Sequence, residues 1–415
     1  MRVSKRFYDN LLIFNVLMSD IVEDELLSSS VIKDPKALDF DYVPDELPHR
    51  EKQLRVLAQL FKPVLARVPQ NVVITGSVGT GKTVLVKRFC LSLVKTARKQ
   101  GVFLDYVHIN CRRRSTDAMT LLGILNHFDP GFPDRGFSVN EMLQVLNRQL
   151  VRRETHLIVA LDEVDALLRK SGSELIYNLT RFSDEASTSK KNLVSLILIS
   201  QKDIFSMLDV SSLSTIKRSN HIHLDKYSRE ELYDIIRQRV ELAFHRGVVE
   251  EDSIELIADI ASEWGDARFA IELLWKAGVA ADEQHSLEVT PEHVRAAKAE
   301  TYSIVTESKL RNLNKQQLLT LLSIAKRLYL DGTAYVTTGD AEKMYRVVCE
   351  EYKEKPRGHT MFWSYLKDIE NAGFITLKKS SKGQVGTTQL ISLPDIPAEI
   401  LRDKIDEILQ DTGLE

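Results

Sequence analysis

The octapeptide GSVGTGKT, Gly76–Thr83, constrains this chain more than any other stretch of it. It follows the apolar run NVVIT at 71–75 and opens a segment at 82–98 with helical periodicity. A glycine-rich loop between strand and helix turns successive backbone amides inward at the positive end of the helix dipole, which makes an anion nest. At this spacing the lysine reaches the β- and γ-phosphates of a nucleotide and the following hydroxyl ligates Mg2+. The expected cradle for ATP or ADP is therefore Gly76, Ser77, Val78, Gly79, Thr80, Gly81, Lys82 and Thr83, with Thr83 also a metal ligand. Cys90, in the helix that follows, is assigned to the same site.

Further short apolar runs at Val102–Ile109, Leu157–Leu161 and Leu193–Ile199 alternate with helical stretches, so an α/β fold with a parallel sheet covered on both faces is expected here. The run LIVALDEVDAL places Asp162 and Glu163 at the carboxyl end of a buried strand, where open α/β sheets carry their chemistry. Asp162 is expected to hold Mg2+ through water and Glu163 to polarise the attacking water. Asp165 reads as a helix-start or interface carboxylate. One strand later LILIS ends at Gln201, an amide placed to orient that water or to contact the γ-phosphate. Arg268, in the string GDAR that opens a later helix, could return to the phosphates.

A chain of 415 residues is too long for one ordinary core. After His221–Leu224 the strand signal fades, and Ser228–Arg246, Glu251–Trp264, Ala267–Ala281 and Pro291–Lys309 all show a 3.6-residue period. From Leu310 the pattern changes again: helices at 315–330, 338–352 and 360–372, then FITLKK, the turn SSKGQVG and TTQLISL, which together describe a winged helix. The domains are thus expected at 1–225 with an N-terminal extension at 1–40, at 226–303 and at 304–415.

The first residues set Phe7, Leu11, Phe14, Met18 and Ile21 at helical spacing, which favours an amphipathic helix over an export signal. Cys90, Cys111 and Cys349 are widely spaced with no CxxC pair and suggest neither a zinc site nor a disulfide framework. With no apolar run of transmembrane length, a cytoplasmic location without membrane contact is expected.

A formal charge of -3 announces no polyanion partner, so any nucleic-acid surface must be local. Between 353 and 382 seven basic residues face three acidic ones, bracketing the third helix and the wing. Lys378, Lys379 and Lys382 suit phosphate contacts, with Arg357 and Lys367 beside them. Thr360, Trp363 and Ser364 suit helix-face contacts in a groove, although Trp363 equally suits the core. A winged helix also serves as a protein-docking module, and this alternative stays open.

The phosphate loop, the DE strand, the GDAR helix and the terminal winged helix occur in an order that resembles the archaeal origin-recognition and cell-division-control initiators, members of the AAA+ ATPases. The likeness runs from YVPDELPHRE at 42–51 through TTGDAEKMYRVVCEEY at 337–352 to the wing. It implies an AAA+ ATPase base, a helical lid and a winged-helix DNA-binding domain, in a protein that binds double-stranded origin DNA beside a paralogous initiator subunit and helps load the MCM helicase. It also implies that His49 and Arg50 lie near the adenine, that Arg268 is a second sensor, and that the loop Asp129–Phe137 touches DNA through Arg135. Two features depart from the pattern. The first sensor is commonly asparagine where Gln201 stands, and LDVSSLSTIKRSN at 208–220 lacks the finger arginine before its SS dipeptide, with Lys217 and Arg218 following instead. Slow hydrolysis, with nucleotide as a conformational switch, is the expected behaviour. The alternative is a nucleotide-gated DNA-binding regulator with little turnover.

Overall fold

The computed structural model describes residue 23 and residues 30–181, 193–216, 220–301, 310–379, 389–394 and 396–411. The expected helix at 7–21, Lys217, Arg218, the wing turn at 380–386 and Lys382 lie outside them. The chain divides into two compact units, one of residues 36–239 with 257–272, the other of the described residues of 1–35, 240–256 and 273–415.

The first unit opens with α1 (Glu51–Phe61), shorter than the amphipathic pattern at 51–68 predicts. Pro63 tightens the chain into a 3-10 turn, Lys62–Ala66, which stops at Arg67 in the left-handed region. Then follow β1 (Asn71–Gly76), α2 (Lys82–Lys99), β2 (Leu104–Asn110), α3 (Asp117–Phe128), α4 (Val139–Arg152), β3 (His156–Asp162), α5 (Val164–Ser171), α6 (Glu174–Thr180), β4 (Val194–Ser200), α7 (Val210–Thr215) and β5 (His221–Leu224). The five strands form one parallel sheet in the order β2-β3-β4-β1-β5.

β3 and β4 are buried along their whole length, as their mostly apolar runs require, and the polar pair His156 and Ser195 is bonded across them at 2.8 Å. The period of two sorts their side chains into two cores. Val73, Leu157, Val159, Leu161, Leu196 and Leu198 join one, and Val72, Ile74, Ile158, Ala160, Ile197 and Ile199 pack against α2 in the other. Register sets the carboxyl ends of neighbouring strands level, with Asn110 opposite Asp162 and Thr75 opposite Ser200. The sequence segments singled out for chemistry thereby reach one edge of the sheet.

Helices α8 (Arg229–Ala243), α9 (Glu251–Ser262) and α10 (Ala267–Glu283) come next, close to their expected bounds. The second unit continues with α11 (Pro291–Thr301), α12 (Lys315–Asp331), β6 (Val336–Thr337), α13 (Thr338–Glu351), α14 (His359–Asn371), β7 (Thr376–Lys379), β8 (Gln389–Ser392) and α15 (Ala398–Asp411). Its three-stranded antiparallel sheet runs β6-β8-β7. α12 starts on a capping box between Asn314 and Gln317, ends at Gly332 in the left-handed region, and is buried on every side from Leu318 to Ala325. Its neighbours include α15, which sequence patterning did not mark.

Arg295, on α11, is 1 % exposed and ties this unit together. Its guanidinium donates to the carbonyls of Thr333 (3.1 Å), Ala334 (3.0 Å) and Leu393 (3.4 Å) and to Glu292 (2.8 Å). No helix among the described residues is long and apolar enough to cross a membrane.

Candidate functional site

A cavity of about 510 Å3 opens at the carboxyl ends of β1, β2, β3 and β4, a volume in the range of small-molecule sites. The phosphate loop forms one wall. Gly79 and Gly81 take φ of +73° and +81°, which L side chains rarely adopt. A Cβ on Gly79 would also sit 1.7 Å from Asp266 Oδ1, and one on Gly81 2.7 Å from the Tyr227 hydroxyl. These contacts press the loop against two other elements, so glycine is required twice over.

Lys82 is 9 % exposed and donates to the carbonyls of Gly76 (2.9 Å) and Ser77 (2.6 Å). Burial lowers its pKa and the nearby Asp162 carboxylate opposes that shift. Thr83 donates to Asp162 Oδ2 at 2.6 Å. Burial pushes the Asp162 carboxyl up, but hydrogen bonds from His108 and Thr83 outweigh it and the net pKa falls. A hydroxyl beside an ionised carboxylate is a hard oxygen donor set that fits Mg2+ completed by phosphates and water.

Glu163 follows in the left-handed region, φ 53° and ψ 42°, at the N-cap of α5. A non-glycine residue there costs on the order of 1 kcal/mol, strain of the kind found at functional positions. Its carboxylate lies 3.6 Å from Arg112 and it lines the cavity with Asp162 and Gln201. Asp165 is held elsewhere, by Arg169 at 2.7 Å and the Ser200 hydroxyl at 3.3 Å.

The GDAR segment closes the opposite side. Gly265, at φ +64°, approaches Tyr227, and Asp266 caps α10 by accepting from the amides of Arg268 (2.8 Å) and Phe269 (3.1 Å). Ala267 N donates to Gly79 O at 3.1 Å, which fixes this helix start to the phosphate loop. Arg268 lines the cavity and stands over the Phe40 ring at 5.5 Å.

Residues 39–48 cross the cavity mouth with Phe40, Asp41, Pro44, Leu47 and Pro48 facing it, held by Asp41–Lys87 (2.8 Å) and Asp45–Arg88 (3.2 Å). Arg50 is 4 % exposed, donates to Thr80 O at 3.1 Å and stacks 3.9 Å over Tyr227. His49, expected beside Arg50 at the base, instead takes φ 62°, pairs with Asp234 at 2.7 Å and does not line the cavity. The assignment of Cys90 to the nucleotide site is corrected as well. Its thiol is fully enclosed in the core between α2 and the sheet, away from the cavity.

Sequence reasoning missed Tyr106, His108, Asn110, Arg113, Tyr227 and Gln238. The signal for the first three was the polar residue at every second position of LDYVHIN, which puts them on one face of β2. Only the pairing of β2 with β3 says that this face meets Asp162.

In the second unit α14 exposes Thr360, Ser364 and Lys367, while Trp363 is half-buried against the core with the Lys367 ammonium 5.7 Å from its ring. Arg357 is exposed just before this helix. Lys379 is exposed on β7, and Lys378 is half-buried 5.4 Å from the Tyr335 ring. In the first unit Arg135 is exposed in the loop between α3 and α4, which also carries the tilted ring pair Phe132–Phe137.

Three family models match successive parts of the chain: an AAA domain over 66–208, a Cdc6 AAA+ ATPase-type lid domain over 233–299, and a CDC6 C-terminal winged helix domain over 308–403. ORC1-type DNA replication protein 2 of Sulfurisphaera tokodaii is 34% identical over 410 residues, covering 96% of this chain and 98% of that protein. The crystal structure of Cdc6p from Pyrobaculum aerophilum matches with a TM-score of 0.78 and 28% identity, over 92% of this chain and 100% of that one. The Aeropyrum pernix ORC1 protein, solved in complex with DNA, matches with a TM-score of 0.60 and 29% identity, over 94% of this chain and 100% of that one. The chain belongs to the ORC1-type DNA replication proteins, a Cdc6-like family with homologues in archaea that joins an AAA+ ATPase domain and lid to a C-terminal winged helix.

Proposed function

We propose that this protein is an ATP-dependent replication initiator that binds double-stranded origin DNA and helps recruit or load the MCM helicase, beside a paralogous initiator subunit. The observation that carries the reading is the meeting in one cavity of Lys82, Thr83, Asp162, Glu163, Gln201 and Arg268, in a chain of this family. Its domains are an ATPase base at 1–225, a lid at 226–303 and a winged helix at 304–415, and it works in the cytoplasm on the nucleoid.

On this reading the amides of 76–83 and Lys82 hold the β- and γ-phosphates, and Arg50 holds the strap at 39–48 against the loop. Mg2+, held by Thr83 and through water by Asp162, would supply charge neutralisation between the phosphates. Glu163 orients and deprotonates the attacking water, Gln201 reaches the γ-phosphate, and Arg268 approaches from α10. A Glu163→Gln protein should hydrolyse ATP about 10²-fold more slowly than wild type in a phosphate-release assay. Equally negligible rates in both would favour the second reading, a nucleotide-gated DNA-binding regulator, which draws support from the missing arginine before Ser211 and Ser212.

Arg357, Thr360, Ser364, Lys367, Lys378, Lys379 and Lys382 form the DNA face of the winged helix, and Arg135 adds a contact from the base. Titrations of duplex DNA across a salt series test this. Changing Lys378, Lys379 and Lys382 to Ala should lower the slope of log affinity against log salt by about 2 to 3. No binding by the wild type at low salt would make the winged helix a docking module and end the initiator reading.

A further inference from the structure

Asp162 receives three hydrogen bonds from three elements. Thr83 of α2 donates to Oδ2 at 2.6 Å, the backbone amide of Glu163 lies 2.9 Å from Oδ1, and His108 of β2 presents Nε2 to Oδ2 at 3.1 Å. Thr83 is assigned to the metal and the amide is common to any residue at 163. His108 is the remaining side-chain donor, and its Nε2 has no assigned role at the metal.

Its geometry is built rather than incidental. On β2 the side chains of Tyr106, His108 and Asn110 share one face, and the parallel register sets His108 opposite Ala160 and Asn110 opposite Asp162. His108 therefore stands one pair behind the carboxylate on the adjacent strand and reaches it diagonally. The ring is 17 % exposed and lines the cavity. Its far nitrogen, Nδ1, lies 2.8 Å from the Tyr106 hydroxyl.

In a neutral ring these two contacts fix the tautomer. An ionised carboxylate only accepts, so Nε2 must carry the hydrogen that faces Asp162. In the neutral ring Nδ1 is then an acceptor, and the Tyr106 hydroxyl donates to it. Tyr106 keeps its proton, since burial and then the nearby acidic groups raise its pKa. The result is a directed chain, Tyr106 to His108 to Asp162, of the type that orients metal-binding carboxylates from behind.

We propose that His108, held in its Nε2–H tautomer by Tyr106, is a positioning residue that fixes the Asp162 carboxylate for Mg2+ and so couples the metal to nucleotide binding. The inference rests on the nucleotide-site reading above. Without the Nε2 donor, Oδ2 keeps only Thr83, whose hydroxyl must also serve the metal, and the carboxylate loses one of its three anchors, leaving Thr83 on Oδ2 and the Glu163 amide on Oδ1. Loss of such an outer partner costs about 10- to 100-fold in metal affinity.

The test measures dissociation constants of fluorescent ADP and ATP analogues on the full chain, with excess Mg2+ and with EDTA. The variants are His108→Ala, His108→Gln and Tyr106→Phe, with Lys82→Ala as control for the site. The readout is the ratio of the two affinities, which a general loosening of the fold would leave unmoved. His108→Ala should cut the Mg2+-dependent gain about tenfold. His108→Gln, whose amide NH2 reaches nearly as far as Nε2, should restore most of it, and Tyr106→Phe should fall between. An unchanged ratio in His108→Ala, equal losses with Mg2+ and with EDTA, or no rescue by Gln overturns the proposal while Lys82→Ala still abolishes binding. Wild-type affinity in Lys82→Ala overturns the site reading and the proposal with it.

Discussion

A Lys82→Ala protein is expected to bind ATP and ADP about 10²-fold more weakly than wild type, or not at all, in calorimetric or fluorescence titrations. The ammonium sits in the phosphate loop at hydrogen-bond distance from two of its carbonyls, Gly76 O and Ser77 O, and would trade them for phosphate oxygens. It is 9 % exposed, where a charge-assisted hydrogen bond contributes roughly 1.5–3 kcal/mol, and each 1.4 kcal/mol is about tenfold in affinity. Truncation also leaves the two carbonyls without their donor, so a modest loss of stability, about 1 kcal/mol, should accompany the loss of binding. Unchanged affinity would sink the assignment of residues 76–83 as the phosphate cradle.

Arg295→Ala should destabilise the protein more than any surface change, by about 3–5 kcal/mol in denaturant unfolding. The side chain is 1 % exposed, and its removal strands the carbonyls of Thr333, Ala334 and Leu393. Glu292 then loses its ion pair at 2.8 Å, although it still accepts from the Glu399 amide at 3.2 Å. Burial lowers the arginine's pKa and the Glu292 carboxylate opposes that shift, the balance expected of an ion brought out of water for a structural purpose. Lysine cannot replace it, because three carbonyls and a carboxylate around one group demand the planar fork of a guanidinium. A loss below about 1 kcal/mol would show that the α11 contacts do not hold this unit together.

The parts of the fold that sequence revealed are those where one local rule operates alone. The loop 76–83 announces itself because three glycines, a lysine and a threonine at that spacing answer a single geometric need. β3 and β4 were legible since strands covered on both faces carry near-continuous apolar runs, here LIVAL and LILI. α1 stops short of its own apolar period, which runs past Pro63, where the backbone departs from an α-helix. β6 escaped notice as a two-residue strand that exists only through its pairing with β8. His108 carries no motif, and its meaning comes from register with a strand some fifty residues away. Cys90 was misplaced for the opposite reason: nearness in sequence to the loop says nothing about which side of α2 a residue takes, and its side is the core. Arg295 looks like any helical arginine until tertiary structure closes over it.

The most direct test of the central claim is a comparison of the full chain with ATP and with ADP on a panel of genomic duplexes, at fixed salt, with Lys82→Ala run alongside. A nucleotide-controlled initiator should prefer one region, its preference should differ between ATP and ADP, and Lys82→Ala should lose that difference while retaining salt-dependent binding through the winged helix. Identical binding of every duplex in both nucleotides, or the same nucleotide response in Lys82→Ala, would contradict it.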